Sequence, residues 1–351
     1  MRWLVLGMNL FLLLMGQAQG TDGESLAREK CGTCHSFNAR ESMDLMAFWS
    51  SKGPTLAYAG SKFQQTWLEQ WLANPTRIRT AGYQPFRHAV TTADGDQVDT
   101  ASIPEHVKVS KVEATAIAGF LATLRKETNP FPLHSATPAM PGVVHFQNIL
   151  GCGGCHQVAP GENARSGPEL FTAGRRLSTE WMMAYISDPG YWAALPMPRP
   201  RIRSDQLKAV ADYIVSLDGH IATPAKSNAT EISRPRASAS TIEPEPRERS
   251  AIIYRMVCSQ CHGITGNGKG INAPYLSEHP RNHRNTEEMR KLSDDHLFQV
   301  IKFGGPAVDR SSLMPSWGGT LSDDDIKGLI TFLRAISGTT NTTNVSKRDN
   351  P

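Results

Sequence analysis

The chain has 351 residues, 39% hydrophobic and 20% charged, with 37 Lys and Arg against 33 Asp and Glu for a net charge of +4. Two or three domains of the usual size are expected, and 29 Gly with 23 Pro argue against one large single-core enzyme fold. The basic residues are scattered among nearly as many acids, without the dense cationic face that a nucleic-acid binder needs.

In chain order, residues 1–20 read as a signal peptide. Arg2 supplies a positive start, Trp3 to Met15 is a short apolar run, and Ala18-Gln19-Gly20 offers small residues for cleavage near Thr21. The run is shorter than the roughly 20 residues a membrane-spanning helix needs, and no later stretch approaches that length. The expectation is a periplasmic, soluble or peripheral protein with no transmembrane segment once the signal is removed.

Exported cysteines ordinarily pair as disulfides, but all six here belong to C-x-x-C-H units: Cys31-Gly-Thr-Cys34-His35, Cys152-Gly-Gly-Cys155-His156 and Cys258-Ser-Gln-Cys261-His262. Two thiols at this spacing on one helical turn each add to a haem vinyl group, and the next residue's imidazole then faces the iron. Zinc sites usually pair their ligand pairs within about 12–20 residues, whereas these motifs lie more than 100 residues apart. Redox C-x-x-C motifs do not call for the following histidine. Three covalently bound groups of haem c (heme c) are therefore expected.

The motifs mark a repeated unit. Gly53-Pro-Thr-Leu through Pro75 aligns without gaps with Gly167-Pro-Glu-Leu through Pro189, so that Gly53, Pro54, Leu56, Ala59, Gly60, Trp67 and Pro75 meet identical residues 114 positions later. Within this stretch Thr66–Leu72 and Glu180–Ile186 carry apolar residues at helical spacing and stop before Asn74-Pro75 and Asp188-Pro189. A closing helix is expected after each of Ser110, Ser204 and Ser322 as N-caps, with Phe120, Tyr213 and Phe332 as core aromatics. The organisation reads as an all-α chain of three small helical domains, each enclosing a haem: 21–128, 143–219 and 250–337. A stiff Pro-rich linker spans 129–142, a long flexible one 220–249, and a disordered tail 338–351. The third domain is expected to be mobile relative to the first two.

These residues resemble class I cytochrome c domains, and the chain resembles a bacterial periplasmic three-haem cytochrome c. The resemblance covers nearly all of the mature chain outside linkers and tail. It implies that His35, His156 and His262 each bind iron and that a proline carbonyl orients each ring, the matching positions being Pro54, Pro168 and Pro274. It further implies a methionine on the opposite face from a later loop. Met314, in Leu313-Met-Pro-Ser-Trp, and Met197, in Leu195-Pro-Met-Pro, stand eight and seven residues before Ser322 and Ser204. Met182, Met183 and Met256 lie on helices and read as core, and Met140 lies in a linker.

The first domain departs from the pattern, with Ile103-Pro104 where Met-Pro is expected. The candidates for its sixth ligand are His106, ranked first, then His88, with Met43, Met46 or no protein ligand as the remaining readings. A Met donor favours reduced iron, so haems two and three are expected at higher potential than a His/His haem one. Loss of Arg2 and the arrival of haem propionates bring the holoprotein near neutrality, so strong electrostatic steering is not expected. The implied role is electron transfer between a redox enzyme and an acceptor through transient, small contacts with donor and acceptor proteins, and no nucleic acid. The alternatives are a haem enzyme with an open site at haem one, or a subunit of a larger dehydrogenase or oxidase. No acid, base and nucleophile cluster around any one motif, which ranks carriage above catalysis.

Overall fold

The computed structural model describes residues 22–39, 44–127, 140–192, 197–220 and 246–339. The expected signal peptide at 1–20, Met43, residues 129–139 of the first expected linker, 221–245 of the second and the tail from 340 lie outside them.

Each C-x-x-C-H motif follows an opening helix against which a later helix closes. In the first segment the opening helix Gly23–Cys31 starts at Asp22, whose side chain accepts from the Glu24 N–H, and ends on the first motif cysteine. The closing helix Lys111–Thr123 starts in a capping box between Ser110 and Glu113. Ala114, Ile117, Ala118 and Leu121 recur at three- and four-residue spacing, so one stripe is buried against Ala27 and Cys31. The second segment closes with Ser204–Ser216, and the third pairs Pro246–Ile253 with Asp323–Ser337. Phe120, Tyr213 and Phe332 pack against the three cores, as expected. Ser110 and Ser322 are N-caps. Ser204 is not: Arg203 occupies the N-cap and Ser204 is the first helical residue. There the Arg203 N–H donates to the Gln206 side chain at 3.0 Å, so the helix start is satisfied one residue earlier.

The Gln65–Ala73 and Thr179–Ser187 helices end where the Asn-Pro and Asp-Pro signals place their stops. Just before them the two segments meet through equivalent residues. Phe63 bridges Leu177 antiparallel, the Gln64 N–H donates to Arg176 O at 3.0 Å, and the Ser178 N–H donates to Lys62 O at 2.9 Å. Every partner here lies 114 positions from its counterpart, so the contact has local two-fold symmetry.

The described residues are helix-rich with few strands, consistent with the all-α expectation; Ala89–Thr92 and Gly95–Val98 add one short antiparallel hairpin, β1 and β2, built on the Val and Thr residues that favour strands. The third segment makes specific contacts with the first. The backbone N–H of Asp96 in β2 donates to Lys269 O at 2.8 Å, and its carboxylate accepts from the Ile264 N–H at 2.6 Å. Leu45, Phe48 and Phe86 of the first segment share one core cluster with Tyr254, Met256 and Leu329 of the third. Burying each such aromatic contributes about 1.5–3 kcal/mol, which outweighs the freedom that tether length alone suggests.

Candidate haem-binding cavity

The three motif imidazoles are held alike. The Nδ1 of His35 meets Pro54 O at 2.7 Å and that of His156 meets Pro168 O at 2.8 Å. Gly53 and Gly167 lie directly against these rings, where an added Cβ would sit 2.9 Å from His35 and 2.7 Å from His156. A carbonyl acceptor puts the proton on Nδ1 and leaves the Nε2 lone pair free for a metal. His262 departs from expectation. Its Nδ1 meets Arg281 O at 3.0 Å, while Pro274 lies in a short 3-10 turn and does not take this role. Arg281 follows His262 by 19 residues, the same separation as Pro54 from His35, whereas Pro274 stands 12 residues on, as Pro168 does from His156.

Burial keeps all three rings neutral, as metal ligands must be. His156 is pushed down to about 4 by burial first, against the Pro168 hydrogen bond, with the charges of Arg79, Arg176 and Arg165 adding to it. His35 and His262 are lowered by the same leading cause.

All three rings open on one continuous cavity of about 1860 Å³, which also takes in Cys31, Cys152, Cys155, Cys258, Cys261, His106, Met197 and Met314. A drug-sized pocket is about 300–1,000 Å³, so this space suits several large groups. Cys34 is exposed beside it. Met182 and Met256 are buried in core clusters although they border the cavity, and Met140 is exposed.

In the first segment His106 stands across from His35, ring centroids 6.1 Å apart. Two imidazoles sharing one metal through nitrogen bonds of about 2.0–2.1 Å, with rings of about 1.1 Å radius, sit roughly 6.3 Å apart. The His106 Nδ1 is engaged by Val107 O at 2.8 Å, leaving Nε2, and Trp71 backs the ring at 4.5 Å. Burial lowers the His106 pKa, against the Val107 hydrogen bond. His88 is turned elsewhere, its Nδ1 on Ser102 Oγ at 2.8 Å, and Met46 packs on the third segment's core.

The cavity also holds cations that the sequence reading missed. Lys62 and Arg79 line it and form no salt bridge among the described residues, and Arg176 beside them pairs with Glu169 at 3.4 Å. Lys62 Nζ lies 4.9 Å over the Trp181 ring, whose own Nε1 is buried without a partner. Burial, then Arg79 and Arg176, push Lys62 down to about 7. Buried charge needs a counter-ion, and haem brings two propionate carboxylates, so this donor set fits haem where a wholly apolar cavity would not. The signal was available: Lys62 and Arg176 are both basic at the 114-residue offset.

A helix-rich chain with neutral, carbonyl-anchored imidazoles after C-x-x-C motifs around a cation-edged cavity has the makings of a c-type cytochrome. Residues 246–333 match the family model described as cytochrome C oxidase, cbb3-type, subunit III. That stretch holds the third motif and Met314, and a cytochrome c domain implies covalently bound haem c. No curated protein matches the chain. Among solved structures, a chain of the reducing HAO-like protein complex of Kuenenia stuttgartiensis is similar at 17% identity over 52% of this chain and 77% of that one, with a TM-score of 0.22. The family match carries the assignment. No helix among the described residues is long and apolar enough to cross a membrane.

Proposed function

We propose that this chain is a periplasmic electron-transfer protein carrying three haems, attached at Cys31/Cys34, Cys152/Cys155 and Cys258/Cys261. His35, His156 and His262 would each bind an iron, and His106, Met197 and Met314 would supply the further ligands. When bound, haem supplies one-electron chemistry between ferric and ferrous iron, without bonds made or broken in a substrate. The chain's own residues set the conditions. Carbonyls of Pro54, Pro168 and Arg281 fix the imidazole tautomers, Lys62 and Arg79 balance propionate charge, and apolar walls exclude water. Thioether donors at the second and third sites raise their potentials above that of a bis-histidine first site. Partners are transient donor and acceptor proteins, or a larger oxidoreductase in which this chain is a subunit.

The observation that carries the reading is the 6.1 Å opposition of His106 and His35, because it supports a second imidazole at the one site that lacks a methionine. A carbon monoxide difference spectrum of the reduced holoprotein, quantified against total haem, tests it. The intact protein is expected to bind essentially none and His106→Ala to bind at one haem in three. Binding at one haem in the intact protein would move the reading to a haem enzyme with an open first site.

A further inference from the structure

Asn272 is fully buried, between the second and third motifs. Its Oδ1 accepts from the Ser166 N–H at 3.0 Å and its Nδ2 donates to Ser166 Oγ at 2.8 Å. The same Nδ2 reaches Cys155 Sγ at 3.4 Å and Cys261 Sγ at 3.8 Å. The one amide nitrogen therefore stands between the two sulfurs. The surroundings hold this arrangement. The Asn272 N–H donates to Gln260 O at 2.8 Å, tying it to the third motif. On the second motif's side Arg165 donates to His156 O at 2.8 Å and lays its guanidinium 4.4 Å over Tyr275 of the third segment. Haem attachment leaves the two residues between the cysteines free to vary, yet here they are Gly153 and Gly154, and a Cβ on Gly154 would sit 2.5 Å from Leu276.

We propose that the second and third motifs form one redox unit, with Asn272 the positioning residue that holds both thioether sulfurs side by side. The inference rests on the three-haem reading. Thioether sulfur remains a weak acceptor, so the Asn272 N–H not taken by Ser166 Oγ would stay shared between the two sulfurs after haem attachment, and haems attached there would be neighbours. One electron leaves the iron bound by His156 as the iron bound by His262 gains it, or the reverse, with no bond broken and no further reactant.

Asn272→Asp tests this in the holoprotein. A carboxylate between the sulfurs favours ferric iron at both sites. In potentiometric titrations from about pH 7 to pH 9, which ionise even a buried carboxylate with a raised pKa, both methionine-ligated haems should fall in parallel. The expected change is at least tenfold in each reduction equilibrium, about 59 mV for a one-electron couple, with a smaller shift at the first haem. A fall at only one of the two, or at neither, overturns the shared contact. Should the variant not fold, the unmodified protein decides: contacting haems give a bisignate Soret circular dichroism couplet, and a single-signed band overturns the pairing. Haem content separates the two readings. Fewer than three haems per chain overturns both, whereas three haems with one shifted midpoint overturns the pairing alone.

Discussion

At the scale of single residues, the side chains that matter most are those whose partner lies across the cavity. Met314 was legible from its Met-Pro loop before Ser322, and Met314→Ala should remove about half of the thioether-to-iron absorption at the red end of the oxidised spectrum, Met197 retaining the rest. An unchanged band would refute the assignment. His106 was legible only as one candidate of several, because a lone loop histidine gives no local sign of what it faces; the opposing ring is a non-local fact. Lys62 was not read at all. Its side chain looks like any surface lysine until the fold brings Trp181 and Arg79 around it. Lys62→Met removes a positive charge that favours ferrous iron, so the first two haems should drop in potential, by on the order of 1 kcal/mol, in a spectroelectrochemical titration. The Pro274 expectation failed for a related reason: which carbonyl meets His262 depends on how the chain returns to the ring in space.

At the scale of elements, periodicity and caps carried the reading. The three closing helices followed from apolar spacing and a serine start, and two of the three caps hold. This makes a graded prediction in denaturant titrations. Ser110→Ala and Ser322→Ala should each cost about 1 kcal/mol, whereas Ser204→Ala, which removes no cap, should stay within about 0.5 kcal/mol. The third closing helix adds a pH dependence. Asp325 receives Arg249 of the opening helix at 2.8 Å and the Ser322 hydroxyl. Burial alone would raise its carboxyl pKa, but the Arg249 and Ser322 hydrogen bonds with the Arg249 charge hold it below 3.8. A depressed carboxyl contributes stability above its unfolded value that is lost as pH falls through the folded one. The thermal stability of the third segment should therefore fall below about pH 4, and Asp325→Asn should flatten that slope. The hairpin escaped the helical reading because four-residue strands carry too little pattern to stand out.

At the scale of the whole molecule, long linkers proved a poor guide. Composition describes what the 220–249 stretch does alone and is silent on Phe48, Phe86, Asp96 and Asn272, which seat the third segment on the other two. Limited trypsin cleavage between His220 and Pro246 should nick the chain without releasing a one-haem fragment, the pieces eluting together on a sizing column. Gly154→Leu, by driving a side chain into Leu276, should let them separate. The contact between the first two segments has a different consequence. Residues 62–64 facing 176–178 is the self-complementary contact of a two-fold dimer, here written within a single polypeptide. Two identical subunits must offer identical sites, with no downhill direction between them. Joined in one chain, the halves are free to differ, and they do: His106 lines the cavity in one and Met197 in the other. On the three-haem reading, broken symmetry gives the electron a preferred way to go.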